Sequence, residues 1–135
     1  MSDGQHRAQA AIQTILRLTN LLMAGKRVAV LGHEPELASC LRAMGAQTLL
    51  TDPAAALRGH RVLSEAQAVA LADLVIGASG EHLPLLRDGA ILASAGSSSP
   101  TSAMFDGSAG VRVRDGITAY RLDPDREVFV LDMAC

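Results

Sequence analysis

The stretch RVAVLGHEPELASCLRAMGAQTLLTD, residues 27–52, decides the fold. Its opening run, Arg27 to Gly32, is apolar and valine-rich, which is typical of a strand buried on both faces. Pro35 then stands where a first helical residue belongs, and apolar residues at helical spacing continue until Gly45 predicts the helix end. Gln47 to Thr51 predicts a second strand. Strand, helix and strand in this order predict one unit of a parallel sheet.

The same alternation extends on both sides of this unit. Upstream, apolar residues at helical spacing predict a helix over residues 7–24, stopped by Gly25. Downstream, Ser64 and Gln67 have the spacing of a capping box and predict a helix over residues 65–72. Strands are predicted over 74–79 and 90–96, with a short helical stretch over 83–86. The fold class expected is α/β: a Rossmann-type, doubly wound, mostly parallel sheet with right-handed crossovers.

The C-terminal part has a different pattern. A loop rich in serine and glycine is expected over residues 97–110. Three short strands follow, over 111–113, 117–122 and 127–132, separated by turns at Asp115-Gly116 and Asp123-Pro124. Strands joined by tight turns predict a small antiparallel addition to the sheet. Residues 1–135 are expected to form one domain, because the chain is too short for two separate cores.

Composition excludes several function classes. Hydrophobic residues make up 49% and charged residues 19%, so the chain can bury a core and is not a disordered protein. The formal net charge of -2 gives no electrostatic case for nucleic acid or for an anionic membrane. Aromatic residues are only 2%, which argues against stacking of single-stranded bases. The polar N-terminus and two cysteines predict a reduced, cytoplasmic setting without a membrane span.

A doubly wound sheet binds ligands beyond the carboxyl ends of its strands, where the strand order reverses. The turn after the first strand begins at Gly32, but Glu34 and Leu37 stand where a dinucleotide fingerprint has its second and third glycines. Asp52 lies 20 residues beyond Gly32, the spacing of an acid that binds ribose hydroxyls. Asp52-Pro53 is equally consistent with a simple turn or helix start. If Glu34 and Leu37 alone obstruct a dinucleotide, glycine at both positions is expected to restore NAD binding.

Small residues at the other strand ends complete the candidate binding site. The cofactor-binding set is Gly32, His33, Asp52, Ala78, Ser79, Ala95 and Gly96. The small side chains allow a ring to lie on the backbone, or they only let the crossover helices pack closely. His33 is either a solvent-facing loop residue or a new base. The other histidines have no metal-ligand spacing, and no catalytic residue or metal site is assigned.

Several motifs in collinear order resemble the NAD-binding domain of the S-adenosylhomocysteine hydrolase family. ILRLTNLLMAGKRVAVLG (15–32) resembles the entry helix, A-G-K and first strand of that domain. LRAMGAQTLLTD (41–52) resembles L-R-x-x-G-A-x-V-x-[VI]-T-E, and ADLVIGASG (72–80) resembles the strand that ends in T-x-T-G. LRDGAILASAG (86–96) and AYRLDPDREVFVL (119–131) resemble M-K-D-G-A-I-x-x-N-x-G and Y-x-L-x-x-G-R-x-[IV]-x-L-L. The resemblance implies NAD as the cofactor of the family's domain.

The departures from that family bear on function. The family's G-Y-G-x-x-G-[KR]-G is GHEPELAS here, and T-E-x-D-P is shortened to Thr51-Asp52-Pro53, with Asp52 the counterpart of the ribose-binding glutamate. Ser97 replaces the histidine near the family's catalytic centre. The family's substrate domain and subunit-crossing tail have no counterpart in these 135 residues, so hydrolysis by this chain alone is not expected.

We therefore expect a binding or scaffold module with lost or altered dinucleotide binding. The carboxylate of Glu34 or Glu36 would replace a phosphate at the helix start and stabilise the helix by about 0.3–1 kcal/mol. Two alternatives remain open: a genuine NAD(H)-binding module of a larger assembly, and a binder of adenosine or a mononucleotide. The family resemblance implies a homo-oligomer, a dimer, with the first helix as its contact face, and a protein partner is also open.

Overall fold

A computed structural model describes residues 3–19, 23–32, 34–58, 62–78, 80–93 and 110–131 of the chain. The helices are α1 (Asp3–Thr19), α2 (Pro35–Ala43) and α3 (Glu65–Leu71), with 3₁₀ helices η1 (Pro53–Arg58) and η2 (Gly80–Leu85). The strands are β1 (Arg27–Val30), β2 (Gln47–Leu50), β3 (Leu74–Ile76), β4 (Ile91–Ala93), β5 (Val111–Arg114), β6 (Ile117–Asp123) and β7 (Arg126–Leu131).

All seven strands form one sheet in the order β2-β1-β3-β4-β7-β6-β5. The first five strands of this order are parallel, whereas β7-β6 and β6-β5 are antiparallel pairs. Val62 adds a single parallel bridge to Leu50, on the outer side of β2. With that bridge, the parallel positions follow the 3-2-1-4-5-6 order of a doubly wound dinucleotide fold. The α/β, Rossmann-type prediction is confirmed.

The antiparallel C-terminal addition is also confirmed, and its last strand has a second pairing that was not predicted. The last strand was expected in a small antiparallel addition, yet β7 pairs in parallel with β4 through Ile91↔Phe129 and Leu92↔Val130. Alternation and turn residues report only local pairing, and the β6–β7 turn is indeed local. The other edge of β7 pairs with β4, the last of the preceding parallel strands, and this pairing joins segments that are distant in sequence. The antiparallel hairpin is therefore an extension of one continuous sheet.

Local sequence features set the element boundaries. Pro35 is the first residue of α2, and Gly45, just beyond its end, adopts a φ of 90°. The capping box is present: Ser64 Oγ accepts from the Gln67 N–H at 3.2 Å, and Gln67 Oε1 accepts from the Ser64 N–H at 3.3 Å. The predicted strands over 27–32 and 74–79 end earlier, at Val30 and Ile76, and the chain then turns at Gly32 and Gly77, which have positive φ angles. Residues 79 and 94–109 lie outside the described part of the chain.

The sheet is covered on both faces. One core cluster joins α1 and α2 to residues of β1, β2, β3 and β6, and the other joins α3 and η2 to the opposite face. In α1 the apolar stripe is internal, because Ile12, Ile15 and Leu18 are at most 5% exposed. The predicted contact between subunits through the first helix therefore stays a prediction, and it would have to use the exposed side of α1, which includes Gln13 and Arg17. The helix begins at Asp3 and ends at Thr19, earlier at both ends than the predicted 7–24.

Candidate functional site

The carboxyl ends of β1 and β3 lie side by side where the strand order reverses. The N–H of Leu31 donates to the carbonyl oxygen of Ile76 at 3.0 Å, which ties the two strand ends together. Gly32 follows with a φ of 86°, a left-handed conformation that an L side chain rarely adopts, and a Cβ there would meet no atom within 4 Å. The chain therefore makes its tight turn at Gly32 and leaves open space above the turn. This edge is where the fold positions ligands.

A shallow depression lies at this edge between β1, β2 and the start of α2. It is open to solvent, and we call it the β1–β2 depression. Its lining residues are Val30, Gly32, Glu34, Pro35, Ala38, Leu50 and Asp52. The enclosed part of the depression is about 10 Å³, the room of one water molecule, so a ligand here would lie against an open surface rather than inside a pocket. The structure thus brings Gly32 and Asp52 to the same surface.

Asp52 forms a turn and also lies on the surface of the candidate site. Its Oδ1 accepts a hydrogen bond from the Ala54 N–H at 3.1 Å, in the turn that leads into η1. Asp52 is also half-buried and lines the β1–β2 depression. The turn therefore fixes the position of the carboxylate at the end of β2, where an acid would meet ribose hydroxyls.

The start of α2 is built without the family's glycines. Glu34 is the N-cap residue, and its carbonyl oxygen accepts the first helical hydrogen bond from the Ala38 N–H at 3.0 Å. Its side chain is exposed and makes no capping hydrogen bond, so any stabilisation of the helix by this carboxylate is purely electrostatic. Pro35 has no N–H to offer a ligand. Leu37 is only 2% exposed and belongs to the core.

The burial of Leu37 bears on whether the glycines of the dinucleotide fingerprint can be restored in this chain. In the fingerprint, the third glycine lets helix and strand pack closely. Here a leucine fills the corresponding space and packs in the cluster of α1, α2 and the sheet. Glycine at this position would remove core packing, so the expected restoration of NAD binding by glycine at both positions is not a sound test.

The remaining candidate residues are only partly described. Ala78 is half-buried and packs against the core cluster on the α3 face; it does not line the β1–β2 depression. Its neighbour Gly77 has a φ of 92°, and a Cβ there would lie 3.2 Å from the carbonyl oxygen of Leu31. His33, Ser79, Ala95 and Gly96 lie outside the described residues.

A histidine that the sequence left without a role has a defined environment. His82 is 6% exposed, and its Nε2 lies 3.0 Å from Glu65 Oε1. With Glu81, these residues place three groups capable of metal ligation within 4.8 Å of one another. Linear spacing misses this cluster, because α3 and η2 meet only through tertiary packing. The His82–Glu65 contact joins η2 to the first turn of α3.

The electrostatics of the β1–β2 depression are one-sided. Glu34 and Asp52 contribute two carboxylates, and none of the described residues that line it is basic. A phosphate placed there meets like charge, whereas hydroxyl groups can donate hydrogen bonds to the carboxylates. The depression is chemically suited to a neutral polyol such as a ribose, or to a cation.

Comparison with known proteins identifies relatives of one kind. The adenosylhomocysteinase of Aeropyrum pernix is 34% identical over 143 residues, which cover 91% of this chain and 34% of that protein. The adenosylhomocysteinase of Archaeoglobus fulgidus is 39% identical over 104 residues, 65% of this chain and 26% of that protein. The chain thus spans about a third or less of the length of these relatives. The 143 aligned residues exceed the 135 of this chain, so the Aeropyrum protein has internal residues that this chain lacks. No protein-family model matches the chain.

Solved structures agree with the fold. The D-lactate dehydrogenase of Aquifex aeolicus, solved with NAD and lactic acid, superposes with a TM-score of 0.58 at 14% identity, over 68% of this chain and 40% of that one. The pyruvate reductase of Chlamydomonas reinhardtii gives 0.58 at 18% identity, over 70% and 39%. Among the described residues, no helix is long and apolar enough to cross a membrane. Sequence and fold together show that the chain is an adenosylhomocysteinase-like domain built on a Rossmann-type sheet.

Proposed function

We propose that this chain is a nucleoside-binding module that retains the ribose end of the family's nucleotide site and has lost or altered its dinucleotide end. The observation that carries the proposal is the shared lining of the β1–β2 depression by Gly32 and Asp52, at the ends of neighbouring strands. The homology to adenosylhomocysteinases and the Rossmann-type sheet support a nucleotide-binding role for this edge. The proposal concerns binding, and the hydrolase reaction is not assigned to these residues.

The loss at the dinucleotide end follows from charge. Two unit charges at about 4 Å repel by about 1 kcal/mol in water and by about 4 kcal/mol at an effective dielectric constant near 20. Since a tenfold change in affinity corresponds to about 1.4 kcal/mol, one such contact weakens binding between about fivefold and about a thousandfold. Glu34 is exposed, which places its effect toward the lower part of this range. A pyrophosphate carries two negative charges, and in this arrangement it would face Glu34 at the start of α2.

A genuine NAD(H)-binding module is the second candidate. It is favoured by the same geometry, because the left-handed Gly32 keeps the tight turn and Asp52 keeps its place after β2. The Aquifex dehydrogenase, solved with NAD, shares the fold. The two candidates differ in which ligand stabilises the protein.

The test is thermal unfolding of the purified protein with millimolar adenosine, AMP, S-adenosylhomocysteine, NAD, NADH or NADP. A ligand at 100 times its Kd stabilises the folded state by about 2.7 kcal/mol and raises Tm by roughly 5–15 °C. The proposal expects stabilisation by adenosine that exceeds stabilisation by NAD. A larger shift with NAD or NADH supports the second candidate, and no shift with any compound contradicts both.

Asp52→Asn tests whether the carboxylate of Asp52 binds the nucleoside. An asparagine side chain keeps an oxygen that accepts the hydrogen bond from the Ala54 N–H, so the turn into η1 is preserved. It removes the charged acceptor for ribose hydroxyls. The proposal expects an unchanged Tm without ligand and a reduced shift with adenosine. An undiminished adenosine shift in this variant would place the nucleoside elsewhere.

Self-association and a protein partner are proposals that rest on the family resemblance. Light scattering on the protein as it elutes from a size-exclusion column, at two protein concentrations, measures whether a dimer forms. With the apolar stripe of α1 inside the core, a dimer surface must lie on other residues.

A further inference from the structure

We infer that Glu34 makes this site selective for the charge of a nucleoside's 5′ substituent: it disfavours 5′-phosphates and favours a neutral or positively charged 5′ group. The inference rests on the proposed nucleoside-binding function and goes beyond it by naming the ligand class. The residue concerned is the N-cap of α2, which lines the β1–β2 depression together with Asp52.

The direction of the ligand follows from the fold. In a doubly wound sheet the acid after the second strand binds the ribose, and the 5′ phosphates reach the turn after the first strand and the helix that follows it. In this chain those positions are Asp52 after β2, Gly32 after β1, and Glu34 at the start of α2. A ribose on Asp52 therefore directs its 5′ carbon toward Glu34.

The start of α2 offers little to a phosphate. Pro35 removes the N–H of the first helical residue, one of the donors that a helix start otherwise offers to an anion. The exposed Glu34 side chain makes no capping hydrogen bond. Glu36 adds a second negative charge in the first turn. An anion thus finds fewer backbone donors and a negative surface.

The same features suit a positive 5′ group. A protonated amine carries donors and no acceptor, and both carboxylates that line the depression accept hydrogen bonds. None of the described lining residues is a base that would repel it. A neutral hydroxyl is intermediate, because it can donate one hydrogen bond without a net charge.

The experiment measures Kd by calorimetry for three probes that differ only at the 5′ position: 5′-amino-5′-deoxyadenosine, adenosine and AMP. At pH 7 and low salt we expect the amine to bind at least as tightly as adenosine, and AMP to bind at least fivefold more weakly than adenosine. Raising the salt concentration is expected to narrow these differences.

Two variants of the full chain assign the effect to Glu34. Glu34→Gln keeps the size of the side chain and removes its charge, and we expect it to reduce the adenosine-to-AMP ratio at least fivefold. Glu36→Gln removes an exposed charge from the same helical turn, outside the residues that line the depression, and is expected to change the ratio less than twofold.

The outcomes separate the two proposals. If AMP binds as well as adenosine, or if Glu34→Gln leaves the ratio unchanged, the charge-selectivity inference is wrong while nucleoside binding stands. If Glu36→Gln has the same effect as Glu34→Gln, the selectivity belongs to the net charge of the helix start and the assignment to Glu34 is wrong. If none of the three probes binds, the proposed function itself fails, and the inference fails with it.

Discussion

Replacement of Leu37 is the most direct test of how α2 is held on the sheet. Leu37 is 2% exposed and packs in the cluster that joins α1, α2 and one face of the sheet. Truncating a buried leucine to alanine costs about 2–5 kcal/mol, through lost burial and the cavity that remains. Glycine in a helix interior costs about 1 kcal/mol more than alanine. We therefore expect Leu37→Ala to cost about 2–5 kcal/mol and Leu37→Gly about 3–6 kcal/mol.

These losses are large compared with the stability of a domain of this size, about 5–15 kcal/mol. The assay is urea unfolding followed by circular dichroism at 222 nm. With an m-value of about 2 kcal/mol/M, Leu37→Ala is expected to lower the urea midpoint by about 1–2.5 M. Leu57→Ala is the matched control, because Leu57 is 90% exposed and its truncation is expected to change stability by about 0.5 kcal/mol or less.

Equal midpoints for Leu37→Ala and Leu57→Ala would refute the reasoning, since they would show that Leu37 contributes no core packing. The expected result has a consequence for the site. A glycine fingerprint cannot be rebuilt in this chain by substitution at Glu34 and Leu37 without destabilising α2. The side chain of Leu37 thus holds α2 on the sheet, whereas the fingerprint uses a glycine at this position for close packing of helix and strand.

Two further predictions concern the backbone at the site edge and the pH dependence of stability. Gly77→Ala is expected to cost about 2–4 kcal/mol of stability, because both the positive φ and the close carbonyl oxygen of Leu31 oppose a Cβ. Gly25→Ala is the control: Gly25 has a similar φ of 79° but open space around it, and the expected cost is about 1–2 kcal/mol. Equal urea midpoints for the two variants would contradict this prediction. The Nε of Arg126 donates to Asp123 Oδ2 at 2.6 Å and lowers the pKa of Asp123. The stability that this ion pair contributes is present above the pKa of the unfolded state, near 3.9, and is lost as the pH falls through the lower pKa of the folded state. Asp123→Asn is therefore expected to flatten the loss of stability below about pH 4, measured by urea unfolding. An unchanged pH profile of stability in this variant would contradict the prediction.

Arg126 also shows how the hairpin is attached to the rest of the sheet. Its Nη1 donates to the carbonyl oxygens of Pro84 at 3.1 Å and Leu86 at 2.8 Å, at the end of η2. The side chain thus connects the β6–β7 turn to the segment that leads into β4. This connection lies beside the parallel pairing of β4 with β7. No sequence pattern predicts it, because the partners are about 40 residues apart.

The candidate site was only partly predictable. The spacing of Gly32 and Asp52 correctly indicated two neighbouring strand ends, since parallel strands joined by one helix place their carboxyl ends together. Glu34 lines the same depression because it lies two residues beyond the turn at Gly32, at the start of α2. The spacing of glycines in a fingerprint says nothing about whether a substituted position points to ligand or to core. Leu37 points to the core.

The sequence by itself determined the order of helices and strands, the start of α2 at Pro35 and the cap of α3 by Ser64 and Gln67. These features depend on residues within one or two turns of each other, so a linear pattern contains them. Tertiary structure decided that β7 lies beside β4, that His82 meets Glu65, and that two carboxylates share one depression. Each of these requires distant segments to pack on the same sheet, and packing selects partners by shape and burial, which no local pattern records.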